Sequence, residues 1–391
     1  MKPKILLLDI DGVLVQPAGY RLAIEATCQY FLEKGGITPS LPYPEIYSLF
    51  ESQQVTSEWD MVPLALLMVF NAISEFNPIP SEVDSLEKLL SWTKQKALPK
   101  IATRIENEIL QLGQHIHPGM TAAQCVLDAK LNGHANDIFK NLENPLLLSE
   151  LLSKTRNILG CETTRKFQEF ALGGEIFKHT YNHEPQQWLP SFLLSYDRSL
   201  ISEKSQKILA EKILSRGLFA CVYTARPSLP PKEVHADLFN YSPEAELAMK
   251  LCHLESLPMI GYGKLGYLSN KTGRTIPEYI KPAPVQALAA IASAWTGNES
   301  LGLEWAARLS TGDRDMNTRV DIPNEFELYV FEDSASGIQG VRKAAELLHQ
   351  NGWKVKFHPI GIGTHPEKVK ALTQSRAEIY PDVNIALEAI F

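Results

Sequence analysis

Short apolar runs and amphipathic stretches alternate along much of the chain. Runs of strand length occur at 5–10, 218–223, 257–260, 327–331 and 355–361. A stretch with helical spacing at 203–215 precedes the second run, and two others lie between the later runs, at 282–295 and 338–350. An alternation of strands and helices predicts a parallel β-sheet with right-handed crossovers. The first run and the last two hundred residues are therefore predicted to form one core of the α/β class.

Between residues 17 and 199 the pattern changes, and apolar residues recur mainly at helical spacing. In the stretch 20–34, Leu22, Ala26 and Tyr30 lie on one helix face, and the stretch ends at a Gly-Gly pair. Further helices are predicted at 59–76, 81–90, 101–112, 120–131 and 163–172, with Pro or Gly at the breaks, including one at 173–174. We predict a discontinuous α/β core, 1–16 plus 200–391, with 17–199 inserted after the first strand as a helical cap.

Composition and charge narrow the class of partner. The 391 residues are 45% hydrophobic, which is enough for substantial cores. A net charge of −7 gives no basic surface, so neither nucleic acid nor an anionic membrane is an expected partner. The five cysteines contain no CxxC pair and are typical of buried residues in a reducing compartment. No apolar run approaches the roughly 20 residues of a membrane span, and no signal peptide is visible, so we expect a cytoplasmic protein.

The first apolar run ends in an acidic pair, Asp9 and Asp11, followed by Gly12 and Val13. Alternation along an extended chain places both carboxylates on the same side. Ligands of open α/β sheets bind at the carboxyl ends of strands. The pair is therefore suited to a hard cation and a phosphate, although an acidic pair can also serve as a turn or capping device.

Two later positions, one at a strand end and one at a helix start, offer groups that bind phosphate. Thr224 follows the second run, and its hydroxyl, with the N–H groups of Ala225 and Arg226, can hold a phosphate oxygen. Lys281 precedes Pro282 at the start of a predicted helix, where its ammonium can neutralise both a carboxylate and a phosphate. The alternatives are an ordinary turn threonine and an exposed surface lysine.

A second acidic pair, Glu332 and Asp333, ends the fourth apolar run. Adjacent carboxylates at a strand end supply the oxygen ligands that Mg²⁺ prefers. The alternative is a helix cap, in which Asp333 or Ser334 begins the next helix.

The four positions together resemble the motifs of the haloacid dehalogenase (HAD) superfamily, in the order in which that family carries them. The string DIDGV at 9–13 matches the first motif, and the string FEDSxxG at 331–337 closely resembles the β-phosphoglucomutase-like branch. The resemblance covers the core, about half of the chain, and is weak through the predicted cap. It implies a Rossmann-like sheet of the HAD fold and a Mg²⁺-dependent phosphatase acting on a small phosphorylated metabolite beneath an enlarged helical lid.

The resemblance also implies a role for each residue. Asp9 is the nucleophile that forms an aspartyl phosphate, and Asp11 is the general acid and base. Thr224 and Lys281 complete the catalytic set by binding the transferred phosphoryl group. Substrate contacts fall to Thr224, Ala225, Arg226 and Lys281. The Mg²⁺ ligands are the side chain of Asp9, the backbone carbonyl of Asp11, and Glu332 and Asp333.

Three alternatives to a phosphatase differ in the motif residues that each of them needs. A phosphomutase of the β-phosphoglucomutase kind shares the FEDSxxG string, and only the acceptor of the phosphoryl group distinguishes it. A dehalogenase has no need of the second acid, Asp11, which is present. A binding protein on a vestigial core would carry a broken motif, and none is broken. The substrate and the oligomeric state stay open.

Two other strings imitate known sites. The string GYGKLG at 261–266 satisfies GxGxxG, but turn-forming residues follow it, so we predict a loop and no dinucleotide site. Asp313, Asp315 and Asn317 imitate the start of a calcium loop, but Thr318 stands where that loop needs glycine. The Gly-Asp pair at 312–313 is an alternative to Glu332 and Asp333 as the fourth family motif. The residues before 312 have a helix-like pattern and not that of a strand, which disfavours this alternative.

Overall fold

The structure is a computed structural model, and it describes residues 2–38, 41, 43–94, 96, 102–117, 119–135, 137–215, 217–312 and 320–391. The chain divides into two compact units. One comprises Met1–Pro17 and Tyr196–Phe391, and the other comprises Ala18–Ser195. The acidic string at 313–317 lies outside the described residues.

The α/β unit is built on a parallel sheet. Its strands are β1 Lys4–Leu8, β2 Val15–Gln16, β3 Arg198–Ser199, β4 Leu218–Tyr223, β5 Met259–Ile260, β6 Glu325–Glu332, β7 Lys354–Ile362 and β8 Glu378–Tyr380. Over the described ranges, six of them pair in the order β5-β4-β1-β6-β7-β8, and β2 pairs with β3 as a short antiparallel ribbon. Numbered along the chain, the six sheet strands have the order 3-2-1-4-5-6 of a doubly wound sheet. The predicted α/β class with a Rossmann-like parallel sheet is confirmed.

The unit Ala18–Ser195 is helical. Its elements, with one helix that ends at residue 196, are α1 Gly19–Lys34, α2 Tyr43–Ser52, α3 Glu58–Ser74, α4 Leu86–Thr93, α5 Ala102–Leu112, α6 Ala122–Leu131, α7 Pro145–Leu152, α8 Glu162–Tyr181 and α9 Phe192–Tyr196. The predicted break at 173–174 is confirmed, because Gly173 interrupts α8 with a φ of 75° and a ψ of 162°. The predicted start of a helix at residue 81 is wrong: α4 begins after Ser85, whose hydroxyl accepts from the N–H of Lys88.

The remaining helices cover both faces of the sheet. They are α10 Glu203–Leu214, α11 Glu244–Leu251, α12 Tyr262–Thr272, α13 Pro284–Thr296, α14 Glu299–Thr311, α15 Ala335–Gln350, α16 Pro366–Gln374 and α17 Val383–Ile390. Ile5 and Leu7 of β1 pack into one core, with α13 and α15. Leu6 and Leu8 point to the opposite core, with α11 and α17. The central strand is apolar on both sides because both faces of the sheet are covered.

The interpretation of 261–266 as a loop is wrong, because α12 begins at Tyr262 directly after β5. The loop after β4 occupies the start of this helix. The hydroxyl of Ser228 accepts from the N–H of Gly263 at 3.0 Å, and the carbonyl of Arg226 accepts from the N–H of Tyr262 at 3.0 Å. Since the protein's own chain fills the space where a pyrophosphate would approach, this helix start does not serve as a dinucleotide site.

Burial agrees with the composition. All five cysteines are buried and carry free thiols. Among the helices of the described residues, none combines the length and the apolar content needed to cross a bilayer. The segment after α13 contains α14.

Gln286 joins α13 to the sheet. Its buried amide donates to the carbonyls of Thr224 at 2.7 Å and Ile260 at 3.0 Å, and its oxygen accepts from the N–H of Lys281 at 3.1 Å. We predict that Gln286→Leu lowers the free energy of unfolding by about 2–4 kcal/mol, because it leaves buried backbone groups unpaired.

Urea denaturation measures this effect. The matched control is Gln374→Leu, which replaces an exposed glutamine of α16 and is expected to change the stability by less than about 0.5 kcal/mol. Equal stability of the two variants would contradict the assigned role of Gln286.

Candidate active site

The acidic residues meet where the order of the strands reverses. β1 and β6 are neighbours in the sheet, although most of the chain separates them in sequence. Leu8 pairs with Phe331, and the N–H of Asp9 donates to the carbonyl of Phe331 at 3.0 Å. Asp9 therefore lies beside Glu332 at the carboxyl edge. In doubly wound sheets this switch point is the place where ligands bind.

Three carboxylates form a compact group at this point. Asp9, Glu332 and Asp333 each offer an oxygen, and these oxygens lie within 4.8 Å of one another. Asp9 and Glu332 are buried, and Asp333 is partly buried. In the part of the chain that the structure describes, this is the one group of acidic, histidine and cysteine side chains with a spacing that suits a metal ion.

Lys281 lies between two of these carboxylates. Its ammonium nitrogen is 3.0 Å from Oδ2 of Asp9 and 2.7 Å from Oε1 of Glu332. Burial alone would lower the pKa of Lys281, but the attraction of Asp9 and Glu332 outweighs it, and the pKa is raised above its ordinary value. Lys281 is therefore a fixed cation inside the site, and the alternative of an exposed surface lysine is wrong.

The three carboxylates carry more negative charge than Lys281 neutralises. Burial raises the pKa of Asp9 well above its ordinary value, and repulsion from Glu332 adds to the increase while Lys281 opposes it. Burial likewise raises the pKa of Glu332, again opposed by Lys281. With Lys368, which pairs with Asp333, three carboxylates and two ammonium groups leave one negative charge when all are ionised. A bound cation would offset that excess, and carboxylate oxygens are the donors that Mg²⁺ prefers.

Two glycines make room for the carboxylates. Gly12 has a φ of 74°, and a Cβ added there would overlap the carboxylate of Asp333. A Cβ added at Gly337, in the first turn of α15, would overlap the carboxylate of Glu332. Both glycines belong to the motifs found in the sequence, and the geometry shows why a side chain is excluded at each position.

Asp11 lies outside the compact group and has a different partner. Its two carboxylate oxygens accept from Nε of Arg226 at 3.0 and 2.9 Å. Arg226 is buried and also donates to Asp197 at 3.1 Å. The structure therefore pairs Arg226, a predicted substrate contact, with two carboxylates of the protein.

The remaining predicted residues occupy the neighbouring strand end. Thr224 is fully buried, and its hydroxyl oxygen accepts from the backbone N–H of Arg226 at 3.2 Å, as a turn threonine does. Ala225 is exposed. Ser334 accepts from the N–H of Gly337 at 3.2 Å and caps α15, so the helix-cap alternative describes Ser334 while Asp333 faces the other acids.

Two neighbours of the site were not predicted from the sequence. Lys368 of α16 forms an ion pair with Asp333. The ring of Tyr223 lies beneath Lys281, whose ammonium is 5.0 Å from the ring centroid. Tyr223 directly precedes Thr224 in a strand that the sequence identified, so its nearness could have been inferred. Lys368 lies on an exposed helix without a motif, and the sequence gives no signal for it.

No protein-family model matches the chain, and no curated protein matches its sequence. Among solved structures, the X-ray structure of Northeast Structural Genomics Consortium target ZR25 is similar, with a TM-score of 0.65 and 14% identity over 100% of this chain and 98% of that chain. Phosphatase Tt82 from Thermococcus thioreducens has a TM-score of 0.46 and 13% identity over 99% and 98% of the two chains. The first likeness shows a shared fold, whereas the second is too remote for a common fold to be inferred. Fold and site together define an α/β protein with an acid and lysine cluster at the switch point of its sheet.

A substitution at Gly337 tests the space around Glu332. We predict that Gly337→Ala lowers the free energy of unfolding by about 2 kcal/mol or more, because the new methyl group displaces a buried, ion-paired carboxylate. Gly266→Ala is the matched control, since Gly266 also lies in a helix and a Cβ there has no neighbour nearer than 3.7 Å. The control is expected to gain up to about 1 kcal/mol from helix propensity. A stabilised Gly337→Ala protein would contradict the packing described.

Tyr223 offers a second test. Its hydroxyl is fully buried and finds no hydrogen-bond partner among the described residues. We predict that Tyr223→Phe leaves stability unchanged or raises it by about 1 kcal/mol, because it removes an unpaired polar group. Tyr223→Leu is expected to lose about 2 kcal/mol or more, since it also removes the ring beneath Lys281. Equal losses in both variants, measured by urea denaturation, would show that the hydroxyl is needed.

Proposed function

We propose that the protein is a Mg²⁺-dependent phosphatase of the HAD superfamily, which hydrolyses a small phosphorylated metabolite through an aspartyl phosphate. The observation that carries this proposal is the position of Lys281, whose ammonium lies between Asp9 and Glu332 beside Asp333. Phosphoryl transfer depends chiefly on positioned charge, and a fixed cation next to a carboxylate nucleophile provides it. The net charge of −7 disfavours a nucleic-acid substrate.

In this mechanism Asp9 attacks the phosphorus atom, forming an O–P bond as the bond to the leaving oxygen breaks. Asp11 gives its proton to the leaving oxygen and later takes a proton from the water that attacks the aspartyl phosphate. That second attack releases inorganic phosphate and restores Asp9. Lys281 neutralises the phosphoryl oxygens throughout.

Mg²⁺ binding is proposed for the carboxylates of Asp9, Glu332 and Asp333, with the backbone carbonyl of Asp11 as the further ligand that the family resemblance implies. When bound, the ion supplies positive charge that offsets the repulsion between the carboxylates and the phosphate. Thr224 and Ala225 are proposed to bind phosphoryl oxygens from the neighbouring strand end. Arg226 could contact substrate only after leaving the ion pairs that it makes in this structure.

A hydrolysis screen tests the proposal. A panel of phosphorylated metabolites and one aryl phosphate is incubated with and without Mg²⁺, and released phosphate is measured. We expect Mg²⁺-dependent turnover in the wild type and a loss of about 1,000-fold or more in Asp9→Asn, which lacks the nucleophile. Asp333→Asn is expected to raise the Mg²⁺ concentration needed for half-maximal rate.

The matched control is Glu367→Gln, which replaces an exposed acid of α16 and is expected to leave activity unchanged. Wild-type protein without turnover of any phosphoester would overturn the proposal, and an active Asp9→Asn would remove the mechanism. Product analysis with a sugar phosphate decides between transfer to water and transfer to a second hydroxyl, the phosphomutase alternative.

A further inference from the structure

Asp11, Arg226 and Asp197 form a continuous chain of ion pairs within the α/β unit. Nε of Arg226 donates to both oxygens of Asp11 at 3.0 and 2.9 Å, and Nη2 donates to Oδ1 of Asp11 at 2.5 Å and to Asp197 at 3.1 Å. The arginine is 3% exposed and Asp197 is 5% exposed. A buried arginine shared by two carboxylates is fixed in both position and direction, because its planar fork matches the carboxylate geometry.

Asp197 occupies a distinctive place in the chain. It lies just after the helical unit in sequence and immediately before β3, which pairs with β2 through Val15 and Ser199. The turn that carries Asp11 leads directly into β2, and the N–H of Gly12 donates to the carbonyl of Val15 at 2.8 Å. The β2–β3 backbone pairing and the ion pairs through Arg226 therefore connect the same two segments, the turn at Asp11 and the segment at Asp197. Both sets of contacts restrain the position of Asp11.

We propose that Arg226 is a positioning residue for Asp11 and that Asp197 anchors Arg226. The inference rests on the proposed function, because Asp11 matters as the acid that protonates the leaving oxygen. Arg226 directs the Asp11 carboxylate, and Asp197 keeps the arginine from following Asp11 or turning towards solvent. The segment on which the chain re-enters the α/β unit, directly before β3, thereby determines the orientation of the catalytic acid.

Substrates with different leaving groups distinguish a positioning role of Arg226 from a purely structural one. A nitrophenolate leaves without help from an acid, whereas an alkoxide must be protonated as it departs. A misplaced Asp11 therefore slows the reaction of an alkyl phosphate far more than that of p-nitrophenyl phosphate. Damage to the fold, in contrast, slows both substrates by the same factor.

The experiment compares kcat/KM for p-nitrophenyl phosphate and for the best alkyl monophosphate found in the hydrolysis screen. We expect Arg226→Met to lower the alkyl value about 100-fold and the aryl value less than about 5-fold. Asp197→Asn is expected to lower the alkyl kcat/KM by about 10-fold, again with a smaller effect on the aryl value. The effect is weaker because Arg226 keeps its pair with Asp11 and loses only its pair with Asp197. Arg226→Lys, which retains the charge without the fork, is expected to lie between Arg226→Met and the wild type.

Asp11→Asn, which lacks the acid, gives the largest expected change in the ratio of alkyl to aryl kcat/KM. Arg342→Lys lies outside the site and is the control that is expected to keep the wild-type ratio. Thermal unfolding by circular dichroism shows whether each variant is folded. If Arg226→Met does not fold, the ratio measured for Asp197→Asn tests the inference. Equal losses for both substrates, or an unchanged ratio in Asp197→Asn, would overturn the inference while leaving the phosphatase in place. A wild type without turnover of either phosphoester would overturn the proposed function and the inference together.

Discussion

The ammonium of Lys281, held between Asp9 and Glu332, is the interaction on which the site depends. Isolated buried carboxylates are unfavourable by several kcal/mol each, so two of them persist side by side only with a buried cation between them. Each of the three residues comes from a different part of the chain: the end of β1, the loop before α13 and the end of β6. The ion pairs therefore form only when the sheet is assembled, and they link folding to the chemistry of the site.

The topology of the sheet explains why these residues meet. The order of strands reverses between β1 and β6, so the connections that leave them run to opposite faces of the sheet, and the two strand ends meet at the switch point. Gly12 and Gly337 then admit the acids of the second pair into that space. The three carboxylates still outnumber the ammonium groups of Lys281 and Lys368, and this remaining negative charge supports the proposed metal site.

Much of this could be predicted from the sequence, and the exceptions have physical causes. The strand 218–223 was located by its apolar run alone, because a buried parallel strand is apolar on both faces. Helix α12 was missed because the turn-forming residues in it are overridden by capping from Ser228, a tertiary contact. The pairing of Arg226 with Asp197 depends on the β2–β3 ribbon, whose two-residue strands leave no periodic signal.

The most direct test of the account is identification of the covalent intermediate. Protein that is turning over a phosphoester is treated with borohydride, which reduces an acyl phosphate to an alcohol, and the digested chain is mapped by mass spectrometry. The account predicts that reduction occurs at Asp9 and requires substrate. Turnover accompanied by modification at another carboxylate, or by none, would contradict the claim that Asp9 is the nucleophile held by Lys281.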